Sequence, residues 1–232
     1  MKRVFNMIIV DESGSMCVIE RQALAGMNET IDTVKKMQKM HKDMEQRISL
    51  LTFDSGHKTF KYDNVKAESV HRLGSKDYNP CGGTPLYDAI GTAISKLNAQ
   101  TTERDNVLVT IITDGEENCS QEYNLKMVKT LIDKMKKQGW TVTLIGTDNL
   151  DVEGMAGKMC IDNHLAFTQD DRGTQEMFRR ECEARVRYNE CLASGNSIED
   201  GCYLVVGRVP HPPLAAKDPP IQSNRIIDSR EK

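Results

Sequence analysis

Three short stretches of this 232-residue chain carry side chains able to share one ion. The first is Asp11-Glu12-Ser13-Gly14-Ser15, the second contains Thr84, and the third is Thr113-Asp114-Gly115. Asp11, Ser13, Ser15, Thr84 and Asp114 together offer carboxylates and hydroxyls, an all-oxygen donor set. Hard cations such as Mg²⁺ take oxygen ligands in near-octahedral geometry, keep several waters and seldom sit in an all-protein cage. The alternation in Asp-x-Ser-x-Ser turns its side chains toward one point from a short loop, and Gly14 is expected to permit the tight turn between them. Because most of the donors are neutral, a bound ion would stay electrophilic and accept a carboxylate from outside. Each residue type also has a structural use: Thr84 or Ser15 as a helix cap, Asp114 as a turn former.

Strand and helix ends must bring these residues together. Residues 4–10 form an apolar run that stops at Asp11, the pattern of a central parallel strand buried on both faces. Ile19, Ala23, Met27, Ile31 and Val34 then recur at helical spacing. Residues 47–53 read as a second strand, and after the Asp54-Ser55-Gly56 turn the alternating run 59–65 reads as an antiparallel hairpin strand at a sheet edge. Thr84-Pro85 is a helix start signal ahead of Leu86, Ile90, Ile94 and Leu97. Residues 107–112 form another buried strand, followed by a helix on Leu125, Val128, Ile132 and Met135 that Gly139 stops. Strands at 140–145 and 164–168 and helices at 152–159 and 174–188 complete the series.

Strands alternating with helices imply a doubly wound α/β fold, a mostly parallel sheet with one antiparallel edge strand and helices on both faces. In such sheets ligands bind beyond the carboxyl ends of the strands, where the order of laying down reverses. The predicted strand ends at Asp11 and Thr113 lie at that edge. Residues 1–190 make one domain. Residues 191–232 differ, with five of the seven prolines between Pro210 and Pro220, and are expected to form a largely disordered tail with at most a short strand at 203–209.

Net charge is near −3, with 31 basic and 34 acidic residues, which gives no overall attraction to nucleic acid or to an anionic membrane. The lysines at 35–42 and 126–137 fall at helical spacing and read as solvated faces. The apolar run after Met1-Lys2-Arg3 is too short for a signal peptide, and no stretch approaches the roughly 18 apolar residues of a membrane span. An odd count of seven cysteines with no C-x-x-C suits a reducing compartment. A cytoplasmic protein is expected. Cys81 and Cys119 flank the oxygen-bearing segments and are a candidate redox-sensitive pair.

At these residues the chain resembles the von Willebrand factor type A (VWA) domain, whose metal-ion-dependent adhesion site (MIDAS) has the pattern D-x-S-x-S, then a Thr, then an Asp. The resemblance runs from about residue 2 to about residue 189. It includes the edge strand and the run Gly82-Gly83-Thr84-Pro85-Leu86-Tyr87-Asp88-Ala89-Ile90, common in free-standing prokaryotic members. It implies a Rossmann-like fold, direct ligation by Ser13, Ser15 and Thr84, and Asp11 and Asp114 holding metal-bound waters. The ion is expected to be Mg²⁺, with Mn²⁺ or Ca²⁺ as substitutes, and the last position would take an Asp or Glu from a partner protein. Similar cytoplasmic domains serve as subunits beside ATPases, chelatases and stress-response kinases.

Two other functions compete. One is a scaffold subunit of a multiprotein complex that binds through helix faces, its metal incidental. The other is a Mg²⁺-dependent phosphatase of the haloacid-dehalogenase type, but that chemistry wants a second Asp two residues after the nucleophile, and Ser13 stands there. A hydroxyl cannot act as acid and base near neutral pH. A serine hydrolase lacks its G-x-S-x-G. The expectation is a binding module and not an enzyme. Glu12, Asp54, Glu116 and Glu117 lie close by in sequence but are not read as ligands, the last two being residues that a helix N-terminus favours.

Overall fold

Ten residues run through the middle of the sheet as β1 (Lys2–Asp11), the last eight of them buried. The computed structural model describes residues 1–195 and residue 203. Val4, Ile8 and Val10 enter the core on one side of the sheet, and Phe5, Met7 and Ile9 enter the core on the other. Burial on both faces is why β1 reads as an apolar run and not as an alternation. Its parallel neighbours are β2 (Met44–Phe53) and β4 (Asn106–Thr113). Beyond β2 lies β3 (Lys58–Lys66), antiparallel, and beyond β4 lie β5 (Thr141–Thr147) and β6 (Asn163–Phe167), both parallel.

The sheet order is therefore β3-β2-β1-β4-β5-β6. From β1 the chain builds outward in one direction, and from β4 it builds in the other. The reversal between β1 and β4 opens a crevice at their carboxyl ends, where Asp11 and Thr113 are the terminal residues. This is the expected doubly wound fold with one antiparallel edge strand.

Helices α1 (Glu20–Met40) and α5 (Asp171–Ala193) cover one face. Helices α2 (Leu86–Asn98), α3 (Leu125–Lys137) and α4 (Val152–Lys158) cover the other. The apolar positions read at helical spacing are buried, apart from Leu125, which is half-buried. Gly139 ends α3 with a φ of +84°. Helix α5 starts three residues earlier than the apolar pattern suggests because Asp170 caps it, its carboxylate accepting the Gly173 N–H at 2.6 Å.

Helices α1 and α5 approach closely at Gly26. A β-carbon there would fall 2.0 Å from Cδ2 of Phe178, a ring that is itself buried in the core. Gly26→Ala is expected to cost about 1–3 kcal/mol through overpacking. Chemical denaturation should show a lower midpoint with an unchanged m-value; an unchanged midpoint would contradict the packing described.

Under α5 the core is polar. Arg185, fully buried, donates to Asn6 Oδ1 at 2.6 Å and Thr110 Oγ1 at 3.0 Å and pairs with Glu181. Asn6 donates to Gln46 Oε1 at 3.0 Å, and Gln46 to Asn189 Oδ1 at 2.6 Å. The hydroxyl of Tyr203 donates to Glu181 Oε1 at 3.1 Å, and its ring meets Tyr188 edge-on with centroids 6.0 Å apart. Apart from Tyr203 and the last turn of α5, the expected tail from 191 and its strand at 203–209 lie outside the described residues.

At the β3 edge the pairing with β2 slips between Ile48 and Leu50 and again between Leu50 and Leu51. Asn64 sits there with a φ of +53°, its side chain accepting from Arg47 Nε at 2.5 Å. Among the described residues no helix is long and apolar enough to cross a membrane.

Candidate metal centre

Asp11 ends β1 fully buried, and both its carboxylate oxygens are engaged. Oδ1 accepts the Ser13 N–H at 2.8 Å and Oδ2 accepts the Thr113 hydroxyl at 2.6 Å, which ties the ends of β1 and β4 together. The following 3-10 turn, Gly14–Ile19, carries Ser15. The Ser13 and Ser15 hydroxyl oxygens are 3.3 Å apart, and Ser15 Oγ donates to Asp114 Oδ1 at 2.8 Å. Asp114 follows the last residue of β4, and a β-carbon on Gly115 beside it would lie 3.0 Å from Thr84 Oγ1. Asp11, Ser13, Ser15 and Asp114 thus form one hydrogen-bonded cluster, and the Thr84 hydroxyl lies beside Gly115, the residue after Asp114.

None of the three hydroxyls caps a helix. Ser13 holds the N-cap position of the 3-10 turn without a side-chain bond, and Ser15 lies inside that turn. The N-cap position of α2 falls on Pro85, one residue beyond Thr84. Other residues cap α2 from a distance: Glu117 Oε2 accepts the Tyr87 N–H at 2.9 Å and Ser120 Oγ accepts the Asp88 N–H at 3.0 Å. Asp88 returns the contact by accepting the backbone N–H groups of Gln121, Glu122 and Tyr123. The loop after Asp114 is thereby clamped onto α2, which brings Asp114 toward Thr84 and leaves the Thr84 hydroxyl without a hydrogen-bond partner among the described residues. Glu117 is neither ligand nor free rim charge but a cap supplied by another segment.

Gly14 is not the residue on which the turn depends. Its φ is negative and an added β-carbon would stay 3.5 Å from Gly82 O, an ordinary contact. Gly82 carries the demand instead, with a φ of +68° and room for no β-carbon, since one would lie 2.4 Å from Ser55 Oγ. Its carbonyl accepts the Gly14 N–H at 3.0 Å, fixing the two loops together.

Burial pushes the Asp11 carboxyl up to about 6, against the opposing hydrogen bonds of Thr113 and Ser13, and the neighbouring Asp114 adds to the rise. Asp114 is raised as well, first by burial, with hydrogen bonds from Ser15 and Gln169 working the other way. Among the described residues no lysine, arginine or histidine forms a salt bridge with either group, and the largest contributions to both shifts come from burial and hydrogen bonds. Two buried carboxylates facing shared hydroxyls without a countercharge are costly when ionised. The all-oxygen donor set around them has the chemistry of a hard divalent cation site.

Several contributors escaped the sequence reading. Gln169, between β6 and α5, donates from Nε2 to Asp114 Oδ2 and to the Ser15 carbonyl at 3.2 Å. Tyr78, fully buried, donates to the Asp11 carbonyl at 2.6 Å. His57 stands between two buried acids, 3.2 Å from Glu12 Oε2 and 2.9 Å from Asp54 Oδ1. Only Tyr78 left a signal, an aromatic residue isolated in a polar stretch.

No curated protein matches the chain by sequence. Among solved structures it is similar to the pilus adhesin SpaC from Lactobacillus rhamnosus GG in its open conformation, at 12% identity and a TM-score of 0.63 over 81% of this chain and 30% of that one. It is similar to proximal thread matrix protein 1 from the mussel byssus, at 12% identity and 0.56 over 77% of this chain and 44% of the other. It is also similar to the vWF domain of the type V pili tip protein Mfa5 from Porphyromonas gingivalis, at 10% identity and 0.56 over 85% and 97% of the two chains. The chain spans less than half the length of the first two proteins, and at these identities the likeness is one of fold. The family model for the von Willebrand factor type A domain matches residues 7–180, well over half of the sequence. On that match, and on a sheet order that brings Asp11 and Asp114 to one crevice, the chain belongs to the von Willebrand factor type A domain family.

Proposed function

We propose that the chain is a metal-dependent protein-binding module with an intact MIDAS and no catalytic activity. Ser13, Ser15 and Thr84 would ligate a Mg²⁺ ion directly, while Asp11 and Asp114 hold its waters. The ion supplies an electrophilic site for an Asp or Glu carboxylate of a partner protein. The observation that carries this reading is the pair of buried, uncompensated carboxylates joined through Ser13 and Ser15. The chain's own part is to hold the donors still. Thr113 fixes Asp11, Gln169 fixes Asp114, and the Glu117 loop fixes Thr84. That a fold neighbour is a pilus adhesin agrees with a binding role. A cytoplasmic setting, with the partner in an ATPase, chelatase or kinase complex, is part of the same proposal.

Mg²⁺ at a hundred times its Kd is expected to stabilise the fold by about 2.7 kcal/mol, a rise in Tm of roughly 5–10 °C for a chain of this size. EDTA should reverse the rise, and Ser13→Ala and Thr84→Ala should each abolish most of it. A melting curve unmoved by saturating Mg²⁺ and by saturating Mn²⁺ would rule the metal centre out. Binding of the physiological partner should vanish in EDTA and in Asp114→Ala; retention in both would favour a scaffold that binds through other faces.

A further inference from the structure

Cys17 and Cys81 lie on the two loops that carry the hydroxyl donors. Cys17 follows Ser15 in the turn Gly14–Ile19, and Cys81 precedes Thr84 in the loop before α2. Both are exposed and free. Backbone bonds hold their loops side by side: the Cys81 N–H donates to the Glu12 carbonyl at 2.8 Å, and the Gly14 N–H to the Gly82 carbonyl at 3.0 Å. The Cys17 sulfur is 3.5 Å from the carbonyl oxygen of Pro80, the group joined by a peptide bond to Cys81. Standard backbone dimensions then place the Cys81 Cα within about 6.5 Å of that sulfur. That sulfur lies a further distance of about 2.8 Å from its own Cα, so the two Cα atoms are within about 9.3 Å of each other. Disulfides span Cα separations of roughly 4.4–6.8 Å, so closure needs rotation of the two exposed side chains and, at the upper end of that bound, a shift of the turn by about 2.5 Å.

The remaining thiol near the crevice is differently placed. The Cys119 sulfur packs toward Gly83, 3.2 Å from where a β-carbon on that glycine would lie. Its loop is pinned to α2, and the Cys119 N–H donates to Glu117 Oε1 at 2.9 Å. Burial, followed by the carboxylates of Glu117 and Asp88, pushes its thiol up and makes it a poor nucleophile.

We propose that Cys17 and Cys81 are a reversible disulfide pair that staples the D-x-S-x-S loop to the loop bearing Thr84. The oxidant is a low-molecular-weight disulfide of the glutathione type. One cysteine sulfur bonds to a glutathione sulfur as the first glutathione leaves. The second cysteine sulfur then bonds to the first and displaces the other glutathione. Two protein thiols lose two electrons and two protons, and the reagent gains both to become two thiols. Formation of the link fixes the spacing of two of the three segments that supply oxygen donors, so the thiol state of the cell would set how freely that edge can adjust. The reaction involves sulfur alone, so the pairing stands whether or not the oxygens hold a metal.

The test uses the full chain, incubated with excess glutathione disulfide in EDTA and, separately, in Mg²⁺. Free thiols are then alkylated and the peptides mapped by mass spectrometry. The expected product joins the Cys17 peptide to the Cys81 peptide in both conditions, is reversed by dithiothreitol, and is absent from Cys17→Ser and Cys81→Ser. A Cys81–Cys119 link, stable glutathione adducts on both residues, or unmodified thiols at both would overturn the pairing. The Mg²⁺ melting shift of the reduced protein is read separately, so failure of the disulfide and failure of the metal centre give different results.

Discussion

At pH 8 and without divalent metal, Asp11→Asn is expected to melt above the wild-type protein while losing all response to Mg²⁺. Burial raises the Asp11 carboxyl from 3.8 to about 6. A carboxyl raised by folding favours the fold only while it keeps its proton. That contribution is complete below about 3.8 and is lost as pH rises through about 6, so at pH 8 the ionised side chain works against folding. The difference corresponds to something on the order of 3 kcal/mol, or roughly 2–4 °C per kcal/mol in Tm. Asparagine keeps the shape and can keep the bonds. Its Oδ1 accepts the Ser13 N–H, and its amide can donate to Thr113 Oγ1, whose own proton can turn to the Gly115 carbonyl 3.0 Å away. The advantage of the variant over wild type should therefore shrink between pH 6 and pH 4. Equal melting temperatures at pH 8 would show that the buried charge carries no such cost. In the wild-type protein the proposed cation would offset the same charge, which is why stability without metal and metal response are expected to move in opposite directions.

Removing the guanidinium from under α5 should have the largest effect on stability. Arg185→Met leaves Glu181 buried and facing Thr110 and Tyr203 with no cation, and it strips Asn6 of a donor. Breaking one partner of a buried pair in this way typically costs about 3–5 kcal/mol. Burial beside Glu181 holds the Tyr203 phenol well above its ordinary range, so that hydroxyl remains a donor but cannot replace the lost charge. The double variant Arg185→Met, Glu181→Leu should recover part of the loss, because the unpaired buried charge is gone, while Asn6, Thr110 and Tyr203 still lack their partners. Urea denaturation of the three proteins checks this, and a double variant as unstable as Arg185→Met would refute the account. The Mg²⁺ shift in melting should survive in any variant that still folds, since this network lies on the α5 face and not at the crevice.

The fold was legible in the sequence wherever periodicity decides it. Ile19, Ala23, Met27, Ile31 and Val34 mark α1 because only a helix buries that spacing, and the run ending at Asp11 marks β1 because only a two-sided strand needs apolar residues at neighbouring positions. The carboxyl-edge location of Asp11 and Asp114 followed from those strand ends. What stayed hidden depends on contacts between residues far apart in the chain. Arg185 looks like any charged position in an amphipathic helix until Asn6, Gln46 and Thr110 are brought beneath it by three different strands. Asn6 was the available hint, a polar residue at a core-facing position of β1. Gln169 had no hint at all, since an amide in a loop after an edge strand has no preferred role. Gly14 draws attention because it lies inside the motif, whereas the left-handed backbone that requires a glycine belongs to Gly82 on the facing loop.

The bulged edge at β3 bears on how molecules of this chain meet one another. Lys58, Lys61, Asp63 and Lys66 along it, the first and last paired with Glu122 and Glu45, present with the pairing irregularities near Leu50 an uneven and charged border to any strand arriving from outside. Such borders resist sheet-to-sheet growth between copies, because a newcomer finds neither a flat ladder nor a neutral one. At high concentration the protein is thus guarded on that side against polymerising by strand addition.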